Sequence, residues 1–249
     1  MEYQELARKA RIKILQMIHR AQTSHIASNF SCTDIATVLY QNLKEGDLVV
    51  WSKGWAAATI YYFLAQQGKI PMEDLEKFPN PPYLGLAETE VNGVLVSGGS
   101  MGHGLPIAVG MAYGKKLAGE KGNVYCIMSD GEMNEGTTWE SALVMAHHKL
   151  NNLIVIVDMN GWQAMGKTGD ILEATFPPII QSIKEVDGHN YEEIERGLIP
   201  YSETFPESPH VLLAHTVKGK GVSFMENHLV FHYKSINAEE YQRALTELQ

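Results

Sequence analysis

Val124-Tyr125-Cys126-Ile127-Met128-Ser129-Asp130-Gly131-Glu132 carries an apolar run into an abrupt polar turn, and the same change recurs at Leu153-Ile154-Val155-Ile156-Val157-Asp158-Met159-Asn160-Gly161-Trp162. Val124–Met128 is rich in strand formers and stops at Ser-Asp-Gly. Thr137–Leu150 then has helical spacing, with Trp139, Leu143, Ala146 and Leu150 on one face. Leu153–Val157 is the kind of uninterrupted apolar run that a sheet buries on both faces. Strand, helix and strand in so short a span make a βαβ unit with parallel strands. The C-terminal ends of parallel strands share one sheet edge, so Asp130 and Asn160 are expected side by side.

Ligands of open α/β sheets lie beyond that edge. Asp130 offers a charged oxygen, Asn160 a neutral one and Trp162 a main-chain carbonyl. All-oxygen ligands with one carboxylate suit Mg²⁺ or Ca²⁺ held together with a phosphorylated ligand. Gly131 leaves the N–H groups that open the next helix free for a diphosphate. Taken alone, Asp130 could equally be a helix N-cap and Asn160 a turn residue.

Working outward, residues 3–19 form an amphipathic helix with Leu6, Ala10, Ile14 and Met17/Ile18 inward. Thr23–Asn29 is a polar turn bearing His25, and a second helix starts at Ser31 or Thr33. Leu48–Trp51 is a strand, and Ala56–Gln67 a helix with Gly68 just past its end. Phe78-Pro79-Asn80-Pro81-Pro82 is a loop, because proline removes donors and restricts its neighbours. Val94–Val96 reads as a strand leading into Ser97-Gly98-Gly99-Ser100-Met101-Gly102-His103-Gly104, a glycine-rich approach to a ligand that opens a helix at Leu105–Leu117. Pro178–Lys184 and Tyr191–Arg196 read as helices and His210–Thr216 as a strand; Lys218-Gly219-Lys220-Gly221 is a glycine-basic turn. Ala238–Leu248 is a helix with Asn237 and Glu240 as its capping box. Alternating strands and helices without repeats describe one doubly wound, mostly parallel α/β domain over residues 1–249, with helices on both faces.

The formal charge of −9 excludes nucleic acid and anionic membrane as main partners, since both need a basic surface. Two cysteines, Cys32 and Cys126, make no disulfide framework, and Cys126 reads as a small core residue. No apolar signal region or membrane-length run is present, so a cytoplasmic setting is expected.

Asp-Gly followed about thirty residues later by Asn is similar to the thiamine diphosphate signature. The likeness sharpens to transketolase over Asp130–Glu140, Ala146-His147, Leu150–Leu153 and Asp158–Gln163. It continues through Gly99–Gly104, Ala108–Ala112, Asp187-Gly188-His189 and Lys218–Asn227. This resemblance implies the thiamine diphosphate-binding fold and that cofactor, with Asp130, Asn160 and the Trp162 carbonyl as ligands of Mg²⁺ (or Ca²⁺). It implies a diphosphate contact at Gly131, with Glu132 and Asn160 in the same cofactor set. Gly99, Ser100 and Met101 resemble the segment touching the cofactor's aminopyrimidine, and Glu135 an acid that joins a carboxylate network across a dimer. His25 and His232 match substrate-channel histidines placed for proton transfer or hydroxyl binding, and His103 is a further candidate.

The sequence departs from the family at the substrate side. Where the family has Ser-Lys-Gly-His, with a histidine on the diphosphate, this chain has Ser52-Lys53-Gly54-Trp55, and the resemblance places Trp55 in the cofactor-binding set. Tryptophan donates one N–H and carries no charge. The family's His-Pro-Glu-type segment is replaced by Pro79–Tyr83, and Trp-His-Gly by Phe231-His232-Tyr233. A full transketolase also continues into a pyrimidine-binding domain. The resemblance therefore implies the N-terminal subunit of a split enzyme, working with a separately encoded pyrimidine-domain subunit. The assembly expected is α2β2, and the expected reaction is two-carbon ketol transfer between sugar phosphates. A thiamine diphosphate reaction on other substrates, or a non-catalytic subunit keeping the fold, are the alternatives.

Overall fold

Val124–Ser129 and Leu153–Met159 are both strands, paired in parallel with Ser129 opposite Asp158. They are the centre of a computed structural model that describes residues 3–171, 176, 179–200 and 204–249. In chain order its elements are α1 (Tyr3–Ala21), α2 (Ile26–Ser31), α3 (Thr33–Asn42), β1 (Leu48–Trp51), α4 (Ala57–Gln66), α5 (Gly104–Ala118) and β2 (Val124–Ser129). There follow α6 (Gly136–His147), β3 (Leu153–Met159), β4 (Trp162–Gln163), β5 (Gly166–Lys167), α7 (Thr168–Ile171) and β6 (Ser182–Asp187). The chain ends with α8 (Tyr191–Gly197), β7 (His210–His215), α9 (Val230–Tyr233) and α10 (Ala238–Leu248).

The main sheet has the order β1-β2-β3-β7-β6, every pair parallel. Strand side chains alternate between faces. Ile127, Ile154, Ile156 and Leu212 join the core beneath α1, α3 and α4, while Cys126, Val155, Val157 and Val211 join the core beneath α5 and α6. Two buried faces explain why β3 is apolar throughout instead of alternating. All five C-terminal strand ends point to one edge.

Several expectations need correction. Val94–Val96 is irregular: Val94 and Val96 are buried, but no strand pairs with them. Residues 182–184 of the expected helix Pro178–Lys184 lie in β6, an edge strand pairing Ser182 with His210, and Pro178 lies outside the described residues. The half-exposed edge gives too weak a pattern for local reading, and pairing with β7 decides the conformation. Thr23–Asn29 is only partly a turn, since α2 begins at Ile26. In α6 the buried residues are Thr138, Ser141, Ala142 and Met145, whereas Leu143 is more than half exposed. The capping box of α10 is formed as expected, with Asn237 Oδ1 accepting from the Glu240 N–H at 2.9 Å.

Candidate active site

A cavity of about 450 Å³ opens beyond the C-terminal ends of β1, β2 and β3. Asp130 and Asn160 do stand at that edge, both buried. Asp130 Oδ1 accepts from the Gly131 N–H at 3.0 Å; Oδ2 accepts from the Gly161 N–H at 2.7 Å and from Thr168 Oγ1 at 3.0 Å. Asn160 Oδ1 accepts from the Trp162 N–H at 3.1 Å. Gly161, at φ 78°, supplies the left-handed turn that folds residues 160–162 back against Asp130. Among the described residues the carboxylate of Asp130 thus has only neutral hydrogen-bond donors. Burial and the nearby Asp158 push it up to about 6. A cation beside it would reverse that shift.

Beneath this pair lies a buried ion pair. Lys53 Nζ, from the turn after β1, bonds to Asp158 Oδ2 and donates to the Ser28 carbonyl at 2.8 Å. Ser31 Oγ donates to the same carboxylate at 2.6 Å, and Thr216 Oγ1 to its other oxygen. Burial alone would raise Asp158, but Lys53 and these hydroxyls hold it below its ordinary value. Burial opposes the charge on Lys53 and Asp158 restores it. Lys218 is also buried, donates to Ser28 Oγ at 3.0 Å and lines the cavity. Burial and repulsion from Lys53 bring it down to about 8. With Lys53 matched by Asp158, Lys218 is the cation best placed for an anionic ligand.

The glycine loop is clamped from below. The buried Glu132 carboxylate accepts from Ser52 Oγ, from the Gly102 N–H at 3.2 Å and from the Ser129 N–H at 2.7 Å. Burial raises its pKa despite these donors. Gly54 and Gly98 cross so closely that a Cβ on either would stand 2.5 Å from the other's Cα. Gly99, Met101, Gly131 and Glu132 line the cavity. Ser100 and His103 are exposed, Glu135 packs against Gly102, and none of these three is among the lining residues.

The far wall is aromatic. His25, at φ 69°, stacks on Trp55 with centroids 4.7 Å apart and planes 12° from parallel, and meets His232 edge-on at 4.9 Å. Its N–H donates to the His232 carbonyl at 3.1 Å, and Ser24 Oγ meets its Nδ1 at 2.6 Å. Burial, with Lys218 next, lowers His25 to about 4 and His232 to about 3. Both rings are neutral near pH 7, so each offers one acceptor nitrogen and one N–H. His232 Nδ1 is buried without a partner among the described residues.

Local sequence assigns no role to Lys53, Asp158 or Lys218, which the structure brings into the site. Their only signals are a lysine before glycine just past a strand, an aspartate inside an apolar run and a lysine in a glycine-basic turn. The oxygen set at 130–162 holds one carboxylate. Among the described residues no cluster of three His, Cys, Asp or Glu could hold a metal. These donors suit a hard cation only when a phosphorylated ligand completes its shell.

The fold and this edge define a thiamine diphosphate-binding α/β protein. A family profile, the thiamine diphosphate-binding domain of transketolase, matches residues 3–248, and the chain belongs to the transketolase family of transferases. It is 33% identical to one chain of the apulose-4-phosphate transketolase of Actinobacillus succinogenes, over all of this chain and 98% of that one, and the relative's name marks it as a subunit. It is 29% identical to a 6-deoxy-6-sulfo-D-fructose transketolase subunit of Clostridium sp., over 100% of this chain and 97% of the relative. The transketolase structure from Campylobacter jejuni superposes with a TM-score of 0.90 at 27% identity over 100% of this chain, which spans 43% of the Campylobacter chain. Among the described residues no helix is long and apolar enough to cross a membrane.

Proposed function

We propose that the chain, as one cofactor-binding domain, is the diphosphate-holding subunit of a two-chain transketolase that moves a two-carbon ketol unit between a ketose phosphate and an aldose phosphate. The observation that carries this reading is Asp130: a buried carboxylate at the same sheet edge as Asn160, with neutral hydrogen-bond partners only among the described residues, beside a cavity that also receives Lys218. Asp130, Asn160 and the Trp162 carbonyl would hold Mg²⁺, or Ca²⁺ in its place, with Gly131 lining the diphosphate site and Lys218 as its cation. When bound, thiamine diphosphate supplies the electron sink for breaking and remaking a carbon–carbon bond beside a carbonyl.

The chain's own part is binding and orientation. Gly99 and Met101 stand where the rest of the cofactor would leave the diphosphate site. His25 and His232, neutral and neighbouring, hold or pass a proton at a sugar hydroxyl or carbonyl. His103, Ser100 and Glu135 sit on the loop side of the glycine segment, a position suited to contact with a second chain. Relatives of this chain's own length are named as transketolase subunits, which supports a separately encoded partner bearing a pyrimidine-binding domain. The assembly proposed for the two chains is α2β2. A reducing cytoplasm suits the two buried free thiols.

A second reading keeps the cofactor and changes the sugar, and Trp55 favours it, because an indole replaces an ionisable ring in the cavity wall beside His25. The test is reconstitution with the partner chain. Turnover of a ketose phosphate should require both chains, thiamine diphosphate and a divalent cation, and Asp130→Ala should remove it. Metal-dependent cofactor binding without turnover of any ketose would favour the second reading. No cofactor binding in any assembly would sink both.

A further inference from the structure

A second cavity of about 360 Å³ lies outside the first, and the two share Ser24, Trp55 and Tyr233 as a common wall. The chambers differ in chemistry. Lys53, Glu132 and Lys218 line the inner one. The outer one is completed by Gln22, Thr23, Gly85 and Ser235, with no charged side chain among its described lining residues. Thr23 Oγ1 is buried with no hydrogen-bond partner among the described residues. At Gly85 a Cβ would stand 3.7 Å from the Thr23 methyl, at ordinary contact distance, so glycine leaves the chamber one methyl wider there. Trp55 is fixed from two directions, its ring on His25 and its carbonyl accepting from Asn29 Nδ2 at 3.4 Å. Even so, 42% of it is exposed.

We propose that the outer chamber is a subsite for the uncharged, hydroxylated part of the sugar, and that Trp55 is the specificity-determining wall between it and the reaction chamber. This rests on the transketolase reading above. An indole face packs against C–H groups while the chamber's amide and hydroxyls meet sugar hydroxyls, a mixture of apolar face and neutral polar groups that suits a polyol. A phosphate or sulfonate entering here would lose water and find no counter-charge, which is costly. The charged end of the substrate is therefore held outside this chamber.

Two measurements test this. The first needs only this chain, with ribitol as an uncharged polyol probe read by saturation-transfer NMR. Wild type should show a ribitol signal that survives excess Mg²⁺ with inorganic diphosphate. The signal should fall about threefold or more in Thr23→Val and in Trp55→Ala, the loss expected for a hydrogen bond or a stacked face. No signal, a signal unchanged in both variants, or displacement by inorganic diphosphate would overturn the subsite. Trp55→Phe, which keeps a ring on His25, should retain most of the signal and guards against misfolding. The second compares ketose donors of different length in the reconstituted complex. Trp55→His should change the ratio of their kcat/KM values about tenfold, the range that pocket shape commands. An equal loss for every donor would overturn the specificity role. Failure of wild type with every ketose would instead defeat the transketolase reading and leave the ribitol result to judge the chamber.

Discussion

The two ends of the cavity are built by different means. At the end proposed for the diphosphate, Asp130, Asn160, Lys53 and Asp158 all sit at or just beyond strand ends, buried and held by hydrogen bonds and an ion pair. At the other end, His25 and Trp55 come from the turns after α1 and β1, His232 and Tyr233 from the short helix α9, and they meet through ring contacts, stacked and edge-on. A sheet edge fixes its groups by backbone geometry, so that end tolerates little change. Ring contacts between loops can be exchanged at small cost to the fold. A single scaffold can thereby keep its cofactor and change its substrate.

That contrast can be broken by mutation. Asp158→Ala leaves the Lys53 charge buried and unmatched, and should destabilise the chain by roughly 3–5 kcal/mol in urea unfolding. A loss under about 1 kcal/mol would show that the ion pair is not a structural base for the site. Lys218→Met should weaken binding of inorganic diphosphate by about 10–100-fold, the value of a charge-assisted hydrogen bond, without lowering stability. An unchanged affinity would remove Lys218 from the anion site. Trp55→Ala, at the other end, should change stability by less than about 1 kcal/mol, because the ring is partly exposed and packs on one face only.

The pH dependence sharpens the same comparison. Lys218, lowered to about 8, is charged below that pH, so diphosphate affinity should fall as pH rises past it. His25 and His232, lowered to about 4 and about 3, bind protons more readily in the unfolded chain. Their contribution to stability is therefore whole above the unfolded pKa of about 6.5 and declines as pH drops from there toward their folded values. His25→Phe should flatten part of that acid limb in thermal melts, and an unaltered limb would contradict the neutral-ring assignment.

The ease of reading these regions from sequence follows the same division. β2, α6 and β3 announce themselves through long apolar runs and helical spacing, and the strands' parallel pairing places Asp130 beside Asn160. β6 is hidden from local reading because its side chains are half-buried, and its conformation depends on β7, which is distant in sequence. Helical spacing misplaces the inward face of α6 at Leu143, since mostly small residues pack against α5. Lys53, Asp158 and Lys218 meet only in three dimensions, and no local pattern joins positions so far apart. The wall shared by two chambers at Trp55 is likewise a property of the assembled turns. Sequence shows that the tryptophan is unusual, and only the structure shows what it separates.

The central claim is that cofactor anchoring and sugar selection are separable in this chain. Calorimetric titration of thiamine diphosphate with Mg²⁺ into the reconstituted complex tests it most directly, comparing wild type, Asp130→Ala and Trp55→Ala. The account predicts tight, metal-dependent binding in wild type, none in Asp130→Ala, and binding within a few-fold of wild type in Trp55→Ala. Binding that survives in Asp130→Ala, or that is lost equally in Trp55→Ala, would contradict it.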